Sequence, residues 1–168
     1  MNTQLVHEQT FSNQPKQEVA VNATLINSPA NLGSIFRIAE AFGVKEIFLL
    51  ESQQPLLQSN RFKRVARSTN HLIKTSFFSS TQESISDSKK IHFTPVGIEL
   101  STSAQPIQTY SNQSPIQLLV GNERSGIPNH ILQQLDFTYF IPMYGINSSL
   151  NVAQSLGISL YQIRSSEI

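Results

Sequence analysis

The stretch IPMYGINSSLNV, residues 141–152, predicts the end of one structural element and the start of another. The apolar run over residues 137–141 is typical of a strand, and Pro142 ends it. Small and polar residues with Gly145 follow, and residues 150–163 have the periodicity of an amphipathic helix. Open α/β sheets bind ligands in such loops, at the carboxyl ends of parallel strands. We interpret the stretch as half of a ligand pocket; the alternative is an ordinary Ser-capped strand-to-helix connection.

Composition limits the classes of protein that the chain could belong to. Its 168 residues have the length of one domain. A formal net charge of +1 excludes a strongly basic nucleic-acid coat, so any polyanion would have to bind a local patch. The absence of cysteine excludes disulfides and thiolate chemistry, and it is consistent with a reducing compartment. With no signal peptide or membrane-length apolar run, we expect a cytoplasmic protein without a membrane partner.

Strand and helix patterns alternate along the chain, which predicts an α/β fold with a mostly parallel sheet flanked by helices. Residues 1–18 are polar and without apolar periodicity, so we expect a flexible tail before a single domain over residues 19–168. Ser28 and Pro29 indicate the start of the first helix, and Gly43 its end. The predicted strands are residues 19–26, 46–50, 71–78, 92–99, 117–120 and 137–141, and the predicted helices are residues 29–42, 81–88, 130–135 and 150–163.

Residues suited to chemistry concentrate in three loops that follow predicted strands. Asn31 and Arg37 follow the first strand, residues 121–126 with Glu123 follow the buried strand at 117–120, and residues 145–151 follow the last. The sequence has no dinucleotide fingerprint, phosphate loop or nucleophile elbow. Its four histidines are scattered without the spacing of metal ligands, so we expect no metal site.

The densest cluster of positive charge is NRFKRVAR, residues 60–67. Its cations surround two apolar side chains, Phe62 and Val65, and could hold a phosphate backbone while the aromatic ring packs or stacks. The alternative is a solvated helix face. The predicted RNA-binding residues are Arg61, Lys63, Arg64 and Arg67.

Residues 27–44, 118–128 and 141–161 together resemble the three motifs of the SpoU, or TrmH, class of RNA 2′-O-ribose methyltransferases, in the SPOUT superfamily. Within the class, they look most similar to the catalytic domains of eukaryotic enzymes that methylate guanosine 18 of tRNA. The resemblance implies S-adenosylmethionine as cofactor, an RNA substrate with tRNA favoured over rRNA, a C-terminal trefoil knot, and a homodimer formed through the knotted region. A catalytically silent knotted RNA-binding protein is the alternative from another class.

The resemblance also implies roles for single residues. Arg37 matches the proposed catalytic arginine, which would act either as a base or as an electrostatic stabiliser of the developing alkoxide. We favour the second role because a guanidinium keeps its proton. Asn31, Glu123 and Asn151 would orient Arg37 and the ribose. Ser149 completes the implied catalytic set, and the implied cofactor pocket comprises Gly121, Ile141, Met143, Ser149 and Leu150.

Two departures from the class are visible in the sequence. Ala153 stands where many members have serine, so no role of that hydroxyl carries over. We expect no counterpart of the terminal RNA-binding extensions that many relatives have. We therefore expect the RNA to be held by the cluster at residues 60–67, by the dimer surface and by the polar tail.

Overall fold

A parallel sheet of seven strands forms the centre of the computed structural model, which describes residues 15–111, 113–146 and 149–167. The strand order is β3-β2-β1-β6-β4-β7-β5, and every pairing between neighbours is parallel. The predicted α/β fold with a mostly parallel sheet is therefore confirmed. The strands are β1 (Val19–Asn22), β2 (Glu46–Leu50), β3 (Lys74–Phe78), β4 (Thr94–Ile98), β5 (Gln105–Pro106), β6 (Ile116–Val120) and β7 (Phe137–Phe140).

Helices cover both faces of the sheet, as buried parallel strands require. They are α1 (Pro29–Ala41), α2 (Gln54–Gln58), α3 (Asn60–Ala66), α4 (Thr81–Lys90), α5 (Asn129–Leu132) and α6 (Val152–Ser165). Helix α1 packs against both α3 and α6. None of the helices within the described ranges is long and apolar enough to cross a membrane.

The core is divided between the two faces because side chains alternate along each strand. Val21 and Leu118 pack on the face that α1 and α6 cover. Leu119 packs on the opposite face, with Ile85 of α4 and Ile131 of α5. The carboxyl ends of the central strands are left free of helix, and the loops there form the candidate site.

Two predicted boundaries are wrong because side chains take over backbone hydrogen bonds. Strand β1 ends at Asn22, and not at residue 26, because the Asn22 side chain accepts the Thr24 N–H at 3.1 Å and turns the chain. Helix α6 begins two residues later than predicted. Asn151, with ψ at 138°, is extended and its side chain accepts the Ala153 N–H at 2.9 Å, so Asn151 is the N-cap of the helix.

Four further elements have bounds that differ from the predicted ones. Residues 71–78 begin with the end of a 3₁₀ turn, Thr69–His71, so strand β3 starts only at Lys74. Residues 92–99 contain His92 at φ 65°, outside the extended region, and β4 starts at Thr94. The predicted helix at 130–135 is the single turn of α5, and α4 runs two residues past its predicted end.

Arg164 attaches the start of the described chain to its end. Its Nε donates to the carbonyl of Phe42 at 2.9 Å, and its Nη1 donates to the carbonyl of Gln17 at 2.8 Å and to Glu167 at 2.5 Å. The backbone N–H of Lys16 also donates to Glu167, and Gln17 is buried. The last residues of the predicted tail therefore contact the domain, whereas residues 1–14 lie outside the described ranges.

The environment of Glu167 changes its acidity. Burial by itself raises the pKa of this carboxyl, but hydrogen bonds from the Lys16 backbone and from Arg164 favour the charged form. The net result is a pKa below the ordinary value.

The trefoil knot implied by the resemblance stays a prediction. Its loop includes Asn147 and Ser148, which lie outside the described residues.

Candidate active site

An open cavity of about 720 Å³ lies at the carboxyl ends of β4, β6 and β7. Its walls come from the residues that follow these strands and from the start of α6. Strand β1 is next to β6 in the middle of the sheet, and the chain leaves β1 towards β2, on the opposite side from β6. Such a reversal leaves a crevice at the strand ends, which is the usual ligand site of an open α/β sheet.

A chain of side-chain hydrogen bonds joins the three sequence motifs beside this cavity. Asn31 Nδ2 donates to Glu123 Oε1 at 2.5 Å, and Asn151 Nδ2 donates to Asn31 Oδ1 at 3.1 Å. Because Asn151 also caps α6, the first turn of that helix is tied to the start of α1 and to the loop after β6. The structure therefore brings together three of the five predicted catalytic residues.

Asn31 is held in place by the start of α1. Ser28 is the N-cap of this helix, and its Oγ accepts the Asn31 N–H at 3.3 Å. Pro29 occupies the first turn, where its missing N–H costs nothing. The amide of Asn31 is thus presented from the first turn of a helix, as the Ser-Pro signal in the sequence predicts.

The loop after β6 is shaped by its own hydrogen bonds. Asn122 Oδ1 accepts the Arg124 N–H at 2.9 Å, while Asn122 Nδ2 donates to the carbonyl of Leu25 at 3.1 Å. Gly126 has φ of +63°, and a Cβ on Gly121 would lie 2.7 Å from the Gly126 carbonyl carbon. Glycine is therefore needed at both positions for the loop to close on itself and hold Glu123 at the cavity.

Glu99, at the end of β4, is a site residue that the sequence analysis missed. Its Oε2 accepts the Ile127 N–H at 2.8 Å and its Oε1 accepts the Leu100 N–H at 3.0 Å. A side chain on Gly126 would collide with this carboxylate. Glu99 thus fixes the far end of the loop that carries Glu123, and it also lines the cavity. The role of Glu99 could not be predicted from the sequence, because it depends on β4 and β6 being neighbours in the sheet.

The predicted cofactor residues all line the cavity: Gly121, Ile141, Met143, Ser149 and Leu150. Met143 and Leu150 are 37% and 41% exposed, so large apolar side chains face open space where a ligand could cover them. The volume is within the range of small-molecule sites, and apolar walls alternate with polar groups. The lining fits a nucleoside-sized ligand. Across the residues that the structure describes, no group of three acidic or histidine side chains could hold a metal ion.

Arg37 is exposed on α1, and the structure does not include it in the hydrogen-bond chain of Asn31, Glu123 and Asn151. Its guanidinium forms neither a hydrogen bond nor an ion pair with any residue in the described ranges. Five cations elsewhere are ion-paired, namely Lys45, Lys74, Lys89, Lys90 and Arg164. The six cations whose side chains have no partner among the described residues are Arg37, Arg61, Lys63, Arg64, Arg67 and Arg124. Among the described residues, the unpaired Lys and Arg side chains thus lie on α1, on α3 and its C-cap, and in the loop after β6.

Helix α3 divides the predicted RNA-binding residues into two groups. Phe62 and Ala66 face the core, and Val65 lies against Gly33 of α1. Arg61 is four residues before Val65 and shares its side of the helix, towards the start of α1. Lys63 and Arg67 are also four residues apart, and they lie on the other side of the buried face.

The chain belongs to the SpoU rRNA Methylase family, whose model matches residues 18–161. Among its relatives is the tRNA (guanosine(18)-2′-O)-methyltransferase TARBP1 of Mus musculus, 31% identical over 84% of this chain and 9% of the mouse protein. Another is the 23S rRNA (guanosine(2553)-2′-O)-methyltransferase RlmP of Bacillus subtilis, 27% identical over 83% of this chain and 55% of that protein. The chain therefore spans at most about half the length of these two relatives.

The described residues also have the fold of a relative whose crystal structure is known. An rRNA methyltransferase from Sinorhizobium meliloti, whose crystal structure has AdoMet (S-adenosylmethionine) bound, superimposes with a TM-score of 0.79 at 26% identity. The superposition covers 92% of this chain and 58% of that one.

Proposed function

We propose that the chain is an S-adenosylmethionine-dependent RNA 2′-O-ribose methyltransferase. The observation that carries the proposal is the hydrogen-bond chain from Glu123 through Asn31 to Asn151. It gathers the three motifs of the family beside a cavity of nucleoside size. A silent RNA-binding protein would have no need to keep this constellation together.

The proposed substrate is tRNA, with guanosine 18 in the D-loop favoured. Two observations support it: the motifs resemble those of eukaryotic enzymes with this activity, and the mouse relative named for it is 31% identical. An rRNA ribose is the second candidate, because the Bacillus subtilis relative, 27% identical, is named as a 23S rRNA methyltransferase. Both substrates require the same chemistry at the ribose.

The cofactor would be held by the loops after β6 and β7. Ile141, Met143 and Leu150 offer apolar surface for an adenine, and the backbone around Gly121 and the hydroxyl of Ser149 offer polar groups at its edges. When bound, S-adenosylmethionine supplies an activated methyl group for direct displacement by an oxygen nucleophile.

Arg37 is proposed to act on the ribose side. Its permanently charged and unpaired guanidinium would hold a substrate phosphate and stabilise the negative charge that develops on the 2′-oxygen as its proton leaves. Asn31, fixed by Glu123 and Asn151, would position the ribose. Positioning of this kind contributes to catalysis because the reacting atoms must be aligned at about 3 Å.

We propose that the active form is a homodimer. Large apolar side chains are exposed on the last loop and on the outer face of α6; Tyr144 and Tyr161 are 98% and 66% exposed, and Ile158 is also exposed. Large apolar side chains exposed in this number are a candidate interface. A second copy of the chain would cover it and place two sites close to the shared surface.

A nucleoside map tests the proposed function. The protein is incubated with methyl-labelled S-adenosylmethionine and total unmodified RNA, the RNA is digested, and the labelled nucleoside and its position are identified by mass spectrometry. We expect 2′-O-methylguanosine at tRNA position 18. Label on another ribose corrects the substrate, and label on a base overturns the proposed reaction. The absence of both label and bound cofactor supports the silent RNA-binding protein.

A further inference from the structure

A second cavity, of about 540 Å³, is lined by residues of α1, α2 and α3 and by the segment that leads into β3. Its floor includes Phe36 and Phe62, two buried rings packed edge to face with centroids 5.3 Å apart. Phe36 immediately precedes Arg37 on α1. The cavity is therefore separate from the cofactor cavity, yet it is built on the helix that carries the proposed catalytic arginine.

The charge of the second cavity is one-sided. Lys63, Arg67 and His71 line it, and its described lining includes no carboxylate. Lys63 and Arg67 form no ion pair or hydrogen bond through their side chains with the described residues. Gln58 and Asn70 add amide groups at the wall. Unpaired cations beside neutral donors, with no acid to compensate them, fit an anion with several oxygen acceptors.

The backbone of Arg67, which lines the second cavity, has an unusual conformation. Arg67 has φ of 49° and ψ of −165°, a conformation that residues other than glycine rarely adopt. It directly follows α3, and its N–H is bonded to the carbonyl of Lys63 at 3.0 Å. Local strain of this kind is concentrated at binding and catalytic sites. Here it occurs at one of the cations that line the cavity.

The unpaired cations continue beyond the cavity. Arg61 and Arg64 lie on the same short helix, and Arg61 is one turn before Val65, which packs against Gly33 in the first half of α1. A polymeric anion could contact both sides of α3 at once, whereas a free nucleotide could occupy only one. This arrangement favours an RNA strand over a small molecule.

We propose that the second cavity is a binding site for a backbone phosphate of the substrate RNA, at a nucleotide other than the one that is methylated. Lys63 and Arg67 contact the phosphate, and His71, Gln58 and Asn70 contact the adjoining sugar and base edges. This inference rests on the proposed function for the identity of the ligand as RNA. The site sets which RNA is accepted, because it fixes the strand at a second point besides the reactive ribose.

The chain has no cysteine, so a single introduced thiol can report on the cavity. Gln58→Cys places the thiol at the cavity wall, and Gln82→Cys places a matched thiol on the exposed side of α4, on the opposite face of the sheet. The rate of maleimide labelling is measured alone, with an unmodified tRNA transcript, with inorganic phosphate and with guanosine 5′-monophosphate. Fluorescence anisotropy of the transcript reports RNA binding independently.

We expect the transcript, at about ten times its Kd, to slow labelling of Gln58→Cys about tenfold, because the fraction of free protein falls by that factor. Labelling of Gln82→Cys should not change. Equal protection by guanosine 5′-monophosphate would assign the cavity to a free nucleotide, and protection by phosphate alone would assign it to a simple anion; either result overturns the RNA proposal. RNA binding without protection overturns this inference and leaves the proposed function intact. Failure of the transcript to bind the parent protein overturns the proposed tRNA substrate, and this inference with it, whereas the nucleoside map on total RNA tests the methyltransferase function separately.

A charge variant provides a second test. Lys63→Ala removes one proposed phosphate contact from an exposed position, and we expect the slope of log Kd against log salt to become shallower by about 0.7 to 0.9. Lys90→Ala removes one charge from α4, where Lys90 is paired with Asp87, and should leave the slope unchanged. Equal slopes for Lys63→Ala and the parent protein would contradict the proposal.

Discussion

Asn151 donates a 3.1 Å hydrogen bond to Asn31, a residue 120 positions earlier in the chain. Asn31 in turn donates to Glu123, so one amide connects the starts of two helices to the loop after β6. The geometry of the proposed site therefore depends on the Asn31 amide, and a single substitution at this residue can test it.

Asn31→Asp should impair methyl transfer more than it impairs stability. The new carboxylate would face Glu123 and could no longer donate to it, so Glu123 loses its partner and is repelled, although the carboxylate can still accept the hydrogen bond from Asn151. We expect kcat/KM to fall about 10- to 100-fold, the equivalent of the about 1.5–3 kcal/mol contributed by a hydrogen bond to a charged group. Asn129→Asp, at an exposed position in α5, is the control. Activity equal to that of the control would show that the hydrogen-bond chain is dispensable.

Arg37→Ala should lower turnover steeply while S-adenosylmethionine affinity, measured by calorimetry, stays nearly unchanged. The reason is that Arg37 is assigned to the ribose and not to the cofactor cavity. Loss of one electrostatic stabiliser typically costs about 10²- to 10³-fold in rate. Arg64→Ala removes the same charge from α3 and should weaken only RNA binding. A large loss of cofactor affinity in Arg37→Ala would show that the arginine is misplaced.

Glu99→Gln should weaken cofactor binding. A glutamine has one acceptor oxygen where the carboxylate has two, so either Ile127 or Leu100 loses its partner and the loop after β6 is freed. We expect about a tenfold rise in the Kd for S-adenosylmethionine, corresponding to about 1.4 kcal/mol. Glu51→Gln, in an exposed turn, serves as the control. An unchanged Kd for S-adenosylmethionine would show that Glu99 does not contribute to cofactor binding.

Tyr161→Arg should convert the proposed dimer to a monomer. A charge in the middle of an apolar interface would be left without water or a partner. Sedimentation velocity measures the change. Ile91→Arg, another exposed apolar position but at the end of α4, should leave the association state as it is. A parent protein that sediments as a monomer would contradict the dimer proposal directly.

Glu167 should make stability depend on acid pH. Its pKa is lowered in the folded protein, so its contribution is fully present above the unfolded value of about 4.3 and is lost as pH falls through the folded pKa. The melting temperature of the parent protein should therefore drop more steeply below about pH 5 than that of Glu167→Gln, which cannot titrate. At neutral pH the variant should melt at a lower temperature, because Lys16 and Arg164 lose a charged partner. Parallel pH profiles would exclude this role.

Local signals in the sequence were sufficient for the bounds of β2 and for the start of α1. Strand β2 coincides with its predicted bounds, and Ser28 and Pro29 correctly indicated the start of α1. Strict apolar runs and helix caps are properties of neighbouring residues, so they can be read without the fold.

Features that depend on strand order could not be read in this way. The contact of Glu99 with Ile127 exists because β4 and β6 are adjacent. The division of the cation cluster into two sides of α3 depends on the packing of Val65 against Gly33, which is a contact between two helices. His71, which the sequence analysis left as one of four scattered histidines, lines the second cavity because a 3₁₀ turn precedes β3.

The position of β1 in the sheet has a consequence for biosynthesis. β1 lies between β2 and β6, and its pairing of Val19 with Ile116 joins residues that are 97 positions apart in the chain. While the chain is being synthesised, β1, β2 and β3 can pair, but the β6 side of β1 stays an open apolar edge until β6 has left the ribosome. We expect nascent chains truncated before β6 to be recognised by chaperones or to aggregate, so that a stalled ribosome yields an insoluble product and not a partly active enzyme.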